Sequence, residues 1–318
     1  MSHAPSERWD LPAGQVRVRR VGDGAGTRAM AVFVHGLGGS SLNWVDLMPL
    51  MADDVDGIAL DLPGFGSSPP PRDGDYSPAG HARTVAAVIR RAQQVSGSDA
   101  PVHVFGNSMG GAVALQLAAR EPSLVESLTL ISPALPTRRT RRGNVHLPVV
   151  AVPGLGESLL RRYRRVSAQA RVTATLDACF ADPATVSPAL RDALTAEVIE
   201  RDSYPYVGDA FLSSLRGLLA GFADPSPRRP WALARRVRQP VLAVYGENDV
   251  LVHPSGAARA ARAFPDASVV LLPRTGHAAQ MEHPGVVADL WRRSILARQG
   301  RLGRPAGLDR APLPSAAP

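Results

Sequence analysis

Lysine is absent from this 318-residue sequence, so all 36 basic side chains are arginine. Cysteine occurs once, at Cys179. A single thiol excludes an intrachain disulfide and fits a reducing, cytoplasmic location. No run of about 18 apolar residues occurs, so neither a membrane span nor stable membrane insertion is expected. The N-terminus has no charged stretch followed by an apolar one, the mark of a signal peptide. Zinc-finger, RRM and helix-turn-helix signatures are also missing. The net charge of +8 therefore reads as a solvated basic surface and no nucleic-acid partner is expected.

Hydrophobic residues make up 45% of the chain, enough for a sizeable core. Short apolar runs at 29–34, 56–60, 102–105 and 128–131 have the continuous character of strands buried on both faces. An alternating run at 15–21 reads as an edge strand. Helix-length segments at 41–51, 79–95 and 110–119 separate them. Strand–helix repetition predicts an α/β fold with a mostly parallel central sheet flanked by helices. From about 133 to 231 the rhythm gives way to proline-punctuated helical pieces. Strands resume at 241–245 and 268–272, with helices at 255–263 and 285–297. The expected organisation is a flexible N-terminus (1–14), a first core part (15–135), a helical insertion (136–231), a second core part (232–298) and a disordered tail (299–318).

Gly106-Asn107-Ser108-Met109-Gly110 fits G-x-S-x-G. It lies directly between a predicted strand and a predicted helix, the setting of a nucleophile elbow. Such a turn strains the serine backbone, and glycines at 106, 110 and 111 let strand and helix approach. A serine nucleophile needs a base, and the base needs an orienting acid. After an elbow the expected chain order is acid, then histidine. Asp249 follows the strand at 241–245 and His277 follows the strand at 268–272, both at the strand ends where ligands bind open α/β sheets. Glu247 is the alternative acid, and His253 and His283 are rival bases. Oxyanion stabilisation needs two backbone N–H donors. Met109 is the first; the loop His35-Gly36-Leu37-Gly38-Gly39-Ser40 offers the second, at Leu37 or else Gly38. His35, Gly36, Gly38 and Asn107 are expected to line the substrate. The set calls for no metal or organic cofactor.

With these motifs the chain resembles the capped α/β-hydrolases. His35-Gly36 matches their oxyanion loop, Asp61-Leu62-Pro63-Gly64-Phe65-Gly66-Ser67-Ser68 the following loop, and Gly106–Gly111 the elbow. The resemblance covers about 15–135 and 235–297 and implies that the insertion forms a cap over Ser108. It implies a serine hydrolase that transfers an acyl group to water, with a small-molecule acyl substrate. An ester is the broad expectation. A carbon–carbon bond in an aromatic ring-cleavage product is the alternative, because the runs at 106–111 and 276–283 are similar to those enzymes. They carry Trp after the histidine where this chain has Ala278. A non-catalytic ligand-binding relative is the reading of another class. The cap arginines 138, 139, 141, 142, 161, 162, 164 and 165 suit a solvated face, a carboxylate contact in the pocket, or, with Leu155, Leu159 and Leu160, an anionic lipid surface. The oligomeric state, monomer or homodimer, stays open.

Overall fold

The computed structural model describes residues 6–22, 28–137 and 147–299. Eight strands form one sheet in the order β1-β2-β4-β3-β5-β6-β7-β8. They are β1 (Ser6–Leu11), β2 (Gly14–Val21), β3 (Ala29–Val34), β4 (Val55–Leu60), β5 (Val102–Asn107), β6 (Val125–Ile131), β7 (Val241–Gly246) and β8 (Ala267–Leu272). β1 and β2 run antiparallel to their neighbours; from β4 through β8 every pairing is parallel. The core helices are α1 (Pro78–Ser96), α2 (Met109–Arg120), α9 (Gly256–Ala263), α10 (Ala279–Glu282) and α11 (Pro284–Trp291). Between β6 and β7 the chain inserts α3 (Leu147–Val150), α4 (Leu155–Tyr163), α5 (Ala168–Cys179), α6 (Pro188–Asp202), α7 (Val207–Ala223) and α8 (Pro230–Ala234). This is the expected α/β-hydrolase architecture with its helical insertion.

Strands β4, β5 and β7 are buried along their whole length, and β6 everywhere but at Glu126, as strands covered on both faces must be. One core cluster fills the face covered by α1 and α2, with Val32, Ile89, Val104, Val113 and Leu128. Phe33, Trp44, Phe105, Leu242 and Trp291 fill the other. From β3 the chain crosses to β4 on one side and returns through α1 to β5 on the other. The connections diverge there, which makes the ends of β3 and β5 the topological switch point, the place where open α/β sheets bind ligands.

Three local expectations are corrected. Residues 6–11 are not a flexible terminus but the edge strand of the sheet, so the run at 15–21 is an inner strand. β1 faces mostly solvent and its polar residues carry no apolar pattern; only the ladder to β2, turned at Gly14 with φ 129°, reveals it. The segment 41–51 is two 3₁₀ turns, Ser41–Trp44 and Met48–Met51, rather than one helix. Ser40 and Asn43 cap the first reciprocally, and Pro49 cannot sit inside a continuous helix. β8 is a half-exposed edge, with Leu271 44% exposed. The expected tail falls outside the described residues after Gln299, as do the arginines at 138, 139, 141 and 142. Among the described residues no helix is long and apolar enough to cross a membrane.

Candidate active site

Ser108 sits between β5 and α2 with φ 54° and ψ −118°, a conformation a side-chain-bearing residue rarely adopts. Its neighbours show why glycine is needed. A Cβ on Gly106 would collide with the Gly110 carbonyl, and one on Gly110 with the Val34 and His35 carbonyls. The strained turn is held on both sides: Ser108 N–H donates to Ile131 O at 3.0 Å, and Ser108 O accepts from Ala134 N–H at 2.8 Å.

Asp249 and His277 come from the loops after β7 and β8. These loops interlock: Asn248 N–H donates to Thr275 O at 3.0 Å, and a Cβ on Gly246 would strike the Thr275 and Gly276 carbonyls. His277 Nδ1–H lies 2.9 Å from Asp249 Oδ2, with both side chains buried. Asp249 Oδ1 accepts from the Leu251 and Val252 amides at 2.8 and 2.9 Å. Burial pushes this carboxyl up, but the adjacent imidazole and the hydrogen bonds from His277 and Val252 outweigh it and hold it below its ordinary range. Asn107 Nδ2 donates to His277 O at 3.0 Å and to Ile131 O at 3.1 Å, tying the elbow to the histidine loop. The rivals lie elsewhere. Glu247 is exposed. His253 Nδ1 accepts from Ser255 N–H, and His283 stands at the N-cap position of α11 with Nε2 3.4 Å from Arg274 O.

The loop after β3 meets the elbow directly, since a Cβ on Gly36 would lie 3.1 Å from Ser108 Cβ. Among the described residues neither Leu37 N–H nor Met109 N–H has a protein acceptor. Met109 opens α2, so its amide is one of the helix's orphan donors at the positive end of the dipole. Two unpaired amides on the two loops that flank Ser108 are what an oxyanion requires. His35 has a different place from the one expected. His35 is fully buried. Its Nε2 accepts from Leu62 N–H at 2.9 Å, so Nδ1 carries the proton and donates to Gly36 O at 2.7 Å. Burial drives its pKa down to about 4, which keeps it neutral. Both of its nitrogens are committed to backbone, and so is the Asn107 Nδ2.

Several supporting residues carry no sequence signature. Buried Glu282 accepts from Gly276 N–H at 2.7 Å and from Ala181 and Asp182 N–H, each at 2.9 Å. It pins the insertion to the histidine loop, where Cys179 O also accepts His277 N–H at 2.6 Å. Asp61 accepts from Ser41 and Ser67 amides behind the β3 loop. Arg201 of α6 donates to Gly38 O at 2.8 Å. The only hint for Glu282 was its place five residues after the histidine; for Arg201 there was none.

A model of the Alpha/beta hydrolase family matches residues 31–290, and the chain belongs to that family. It is 31% identical over 277 residues to the dihydrolipoyllysine-residue acetyltransferase component of the acetoin cleaving system of Cupriavidus necator, covering 86% of this chain. It spans only 64% of that relative's length. It is 28% identical to the pimeloyl-(acyl-carrier protein) methyl ester esterase of Aeromonas hydrophila, over 85% of this chain and 94% of the relative. Its fold matches 2-hydroxy-6-oxo-6-phenylhexa-2,4-dienoate hydrolase of a Rhodococcus species with a TM-score of 0.70 at 22% identity, over 91% and 98% of the two chains.

Proposed function

We propose that this hydrolase is a serine enzyme acting on a small carboxylic ester. The observation that carries the reading is the buried His277–Asp249 pair in loops joined through Asn107 to the strained Ser108. In this mechanism Ser108 Oγ attacks the ester carbonyl while His277 takes its proton. Asp249 keeps Nδ1 protonated and stabilises the imidazolium. Leu37 and Met109 N–H hold the oxyanion. His277 returns the proton to the leaving alcohol, then activates water, which releases the acid and restores Ser108. The helices α3 to α7 serve as the cap that shapes the pocket.

The family likeness to a methyl ester esterase supports the ester. The likeness in fold to a dienoate hydrolase keeps carbon–carbon cleavage as the second reading. A fluorophosphonate probe tests the mechanism: the adduct is expected on Ser108, with none on Ser108→Ala. An adduct elsewhere, or full turnover by Ser108→Ala, overturns it. A p-nitrophenyl ester series run beside a dienoate ring-cleavage product decides between the bonds.

A further inference from the structure

The oxyanion loop is built of residues that cannot hold their own conformation. Gly36, Gly38 and Gly39 carry no side chain to anchor, and Gly38 stands at φ 78°. Yet the Leu37 N–H must be aimed to within tenths of an ångström to serve a transition state. A peptide unit is planar, so the Leu37 N–H direction is set by the Gly36 carbonyl in the same plane. That carbonyl takes two donors: His35 Nδ1–H at 2.7 Å and Gly39 N–H at 3.1 Å. The Gly39 N–H shares its plane with the Gly38 carbonyl, and this is the oxygen that accepts Arg201 Nη1–H at 2.8 Å. The 38–39 peptide is thus gripped at both ends.

The hold on the Gly38 carbonyl comes from the insertion. Arg201 lies on α6, its side chain 13% exposed, with the Glu197 carboxylate 3.9 Å away and only 8% exposed. The Phe211 ring of α7 lies 3.4 Å from where a Gly38 Cβ would stand, a second approach of the insertion to this loop. A guanidinium beside a nearly buried carboxylate, donating to one backbone oxygen, is a costly arrangement for simple packing. It is a sensible one for aiming a peptide.

We propose that Arg201 is a positioning residue for the oxyanion donor: through the Gly38–Gly39 peptide and the Gly36 carbonyl it orients Leu37 N–H, so that seating the cap and completing the oxyanion hole are one event. This rests on the serine-hydrolase reading above and on Leu37 as a donor.

The test compares ester hydrolysis by wild type, Arg201→Met, Arg201→Lys and the cap control Arg164→Met. Arg164 donates to Asp202 O and does not touch the loop. Losing a whole oxyanion donor costs about 10²–10³ in kcat, so misaiming one is expected to cost roughly 10- to 100-fold, with KM changed less than about threefold. Arg201→Lys keeps a charge and a donor and is expected to fall only three- to tenfold. Arg164→Met is expected to stay within about twofold. In protein labelled with ¹⁵N-glycine, the Gly39 amide resonance is expected to move in both Arg201 variants and not in Arg164→Met. Should Arg201→Met fail to fold, the Lys variant decides by the same kcat, KM and Gly39 readings. An Arg201 variant that folds with kcat within twofold and an unmoved Gly39 amide overturns the proposal. So does an equal loss of kcat in Arg164→Met with an unmoved Gly39 amide, which would mean cap stability alone. Absence of esterase activity and probe labelling in the wild type instead overturns the serine-hydrolase reading.

Discussion

Replacing Asp249 by asparagine isolates its electrostatic role, because the surrounding hydrogen bonds dictate how the amide must sit. Two backbone N–H groups, of Leu251 and Val252, point at Oδ1. The asparagine must present its oxygen to them, since an NH₂ there would face two donors. Its NH₂ is then turned toward His277 Nδ1, where the carboxylate oxygen lies 2.9 Å away in the native protein. A donor facing Nδ1 stabilises the tautomer with the proton on Nε2, which cannot accept the Ser108 proton. The expected result is a fall in kcat of about 10⁴, or about 5.4 kcal/mol of lost transition-state stabilisation, with KM within a few-fold. Stability should change by no more than about 1–2 kcal/mol, because the amide contacts survive. That deficit should shrink at low pH: the native carboxyl is held below its ordinary 3.8, so its contribution is present above that pH and lost as pH falls through the lower folded value. Asp249→Ala, by contrast, leaves two partly buried amides without their acceptor and should cost roughly 1–3 kcal/mol. Steady-state kinetics on a p-nitrophenyl ester with urea unfolding of the same samples gives both quantities. An asparagine variant within tenfold of wild-type kcat would refute the assignment of Asp249 as the orienting acid.

Gly110→Ala drives a methyl into the Val34 and His35 carbonyls and should destabilise the protein by about 3 kcal/mol or more in urea titration; an unchanged midpoint would contradict the close packing. Glu282→Gln sets an NH₂ against at least one of the three amides the carboxylate now accepts, so a loss of about 1–3 kcal/mol is expected, read as a lower melting temperature. Burial lowers His35 to about 4 and His81 to about 3 from 6.5. Their contribution is complete above about 6.5 and is lost as pH falls toward the folded values, each with a slope approaching ~1.4 kcal/mol per pH unit. Glu197, raised to about 7 by burial and then by Asp61, acts in the opposite sense between its ordinary 4.5 and 7. The net slope over pH 6.5–4.5 should therefore be near that of one histidine. Unfolding titrations at pH 7, 6 and 5 check it, and His81→Asn should flatten the dependence.

The sequence by itself determined what depends on near neighbours in the chain. The buried strands declare themselves because each is a short, continuous apolar run, and the elbow because glycine, serine and glycine stand where a strand must turn into a helix. The types and order of Asp249 and His277 were legible for the same reason, each lying just past the end of such a strand. Only the tertiary structure decided features whose partners are distant. β1 is polar and needs β2 to be a strand at all. His35 looks like a pocket residue until its hydrogen bonds to Leu62 and Gly36 are seen. Glu282 and Arg201 owe their places to backbone groups about 100 and 163 residues away. A carboxylate or guanidinium reads as surface charge in a linear pattern, because nothing local records the backbone amide or carbonyl that the fold brings to it.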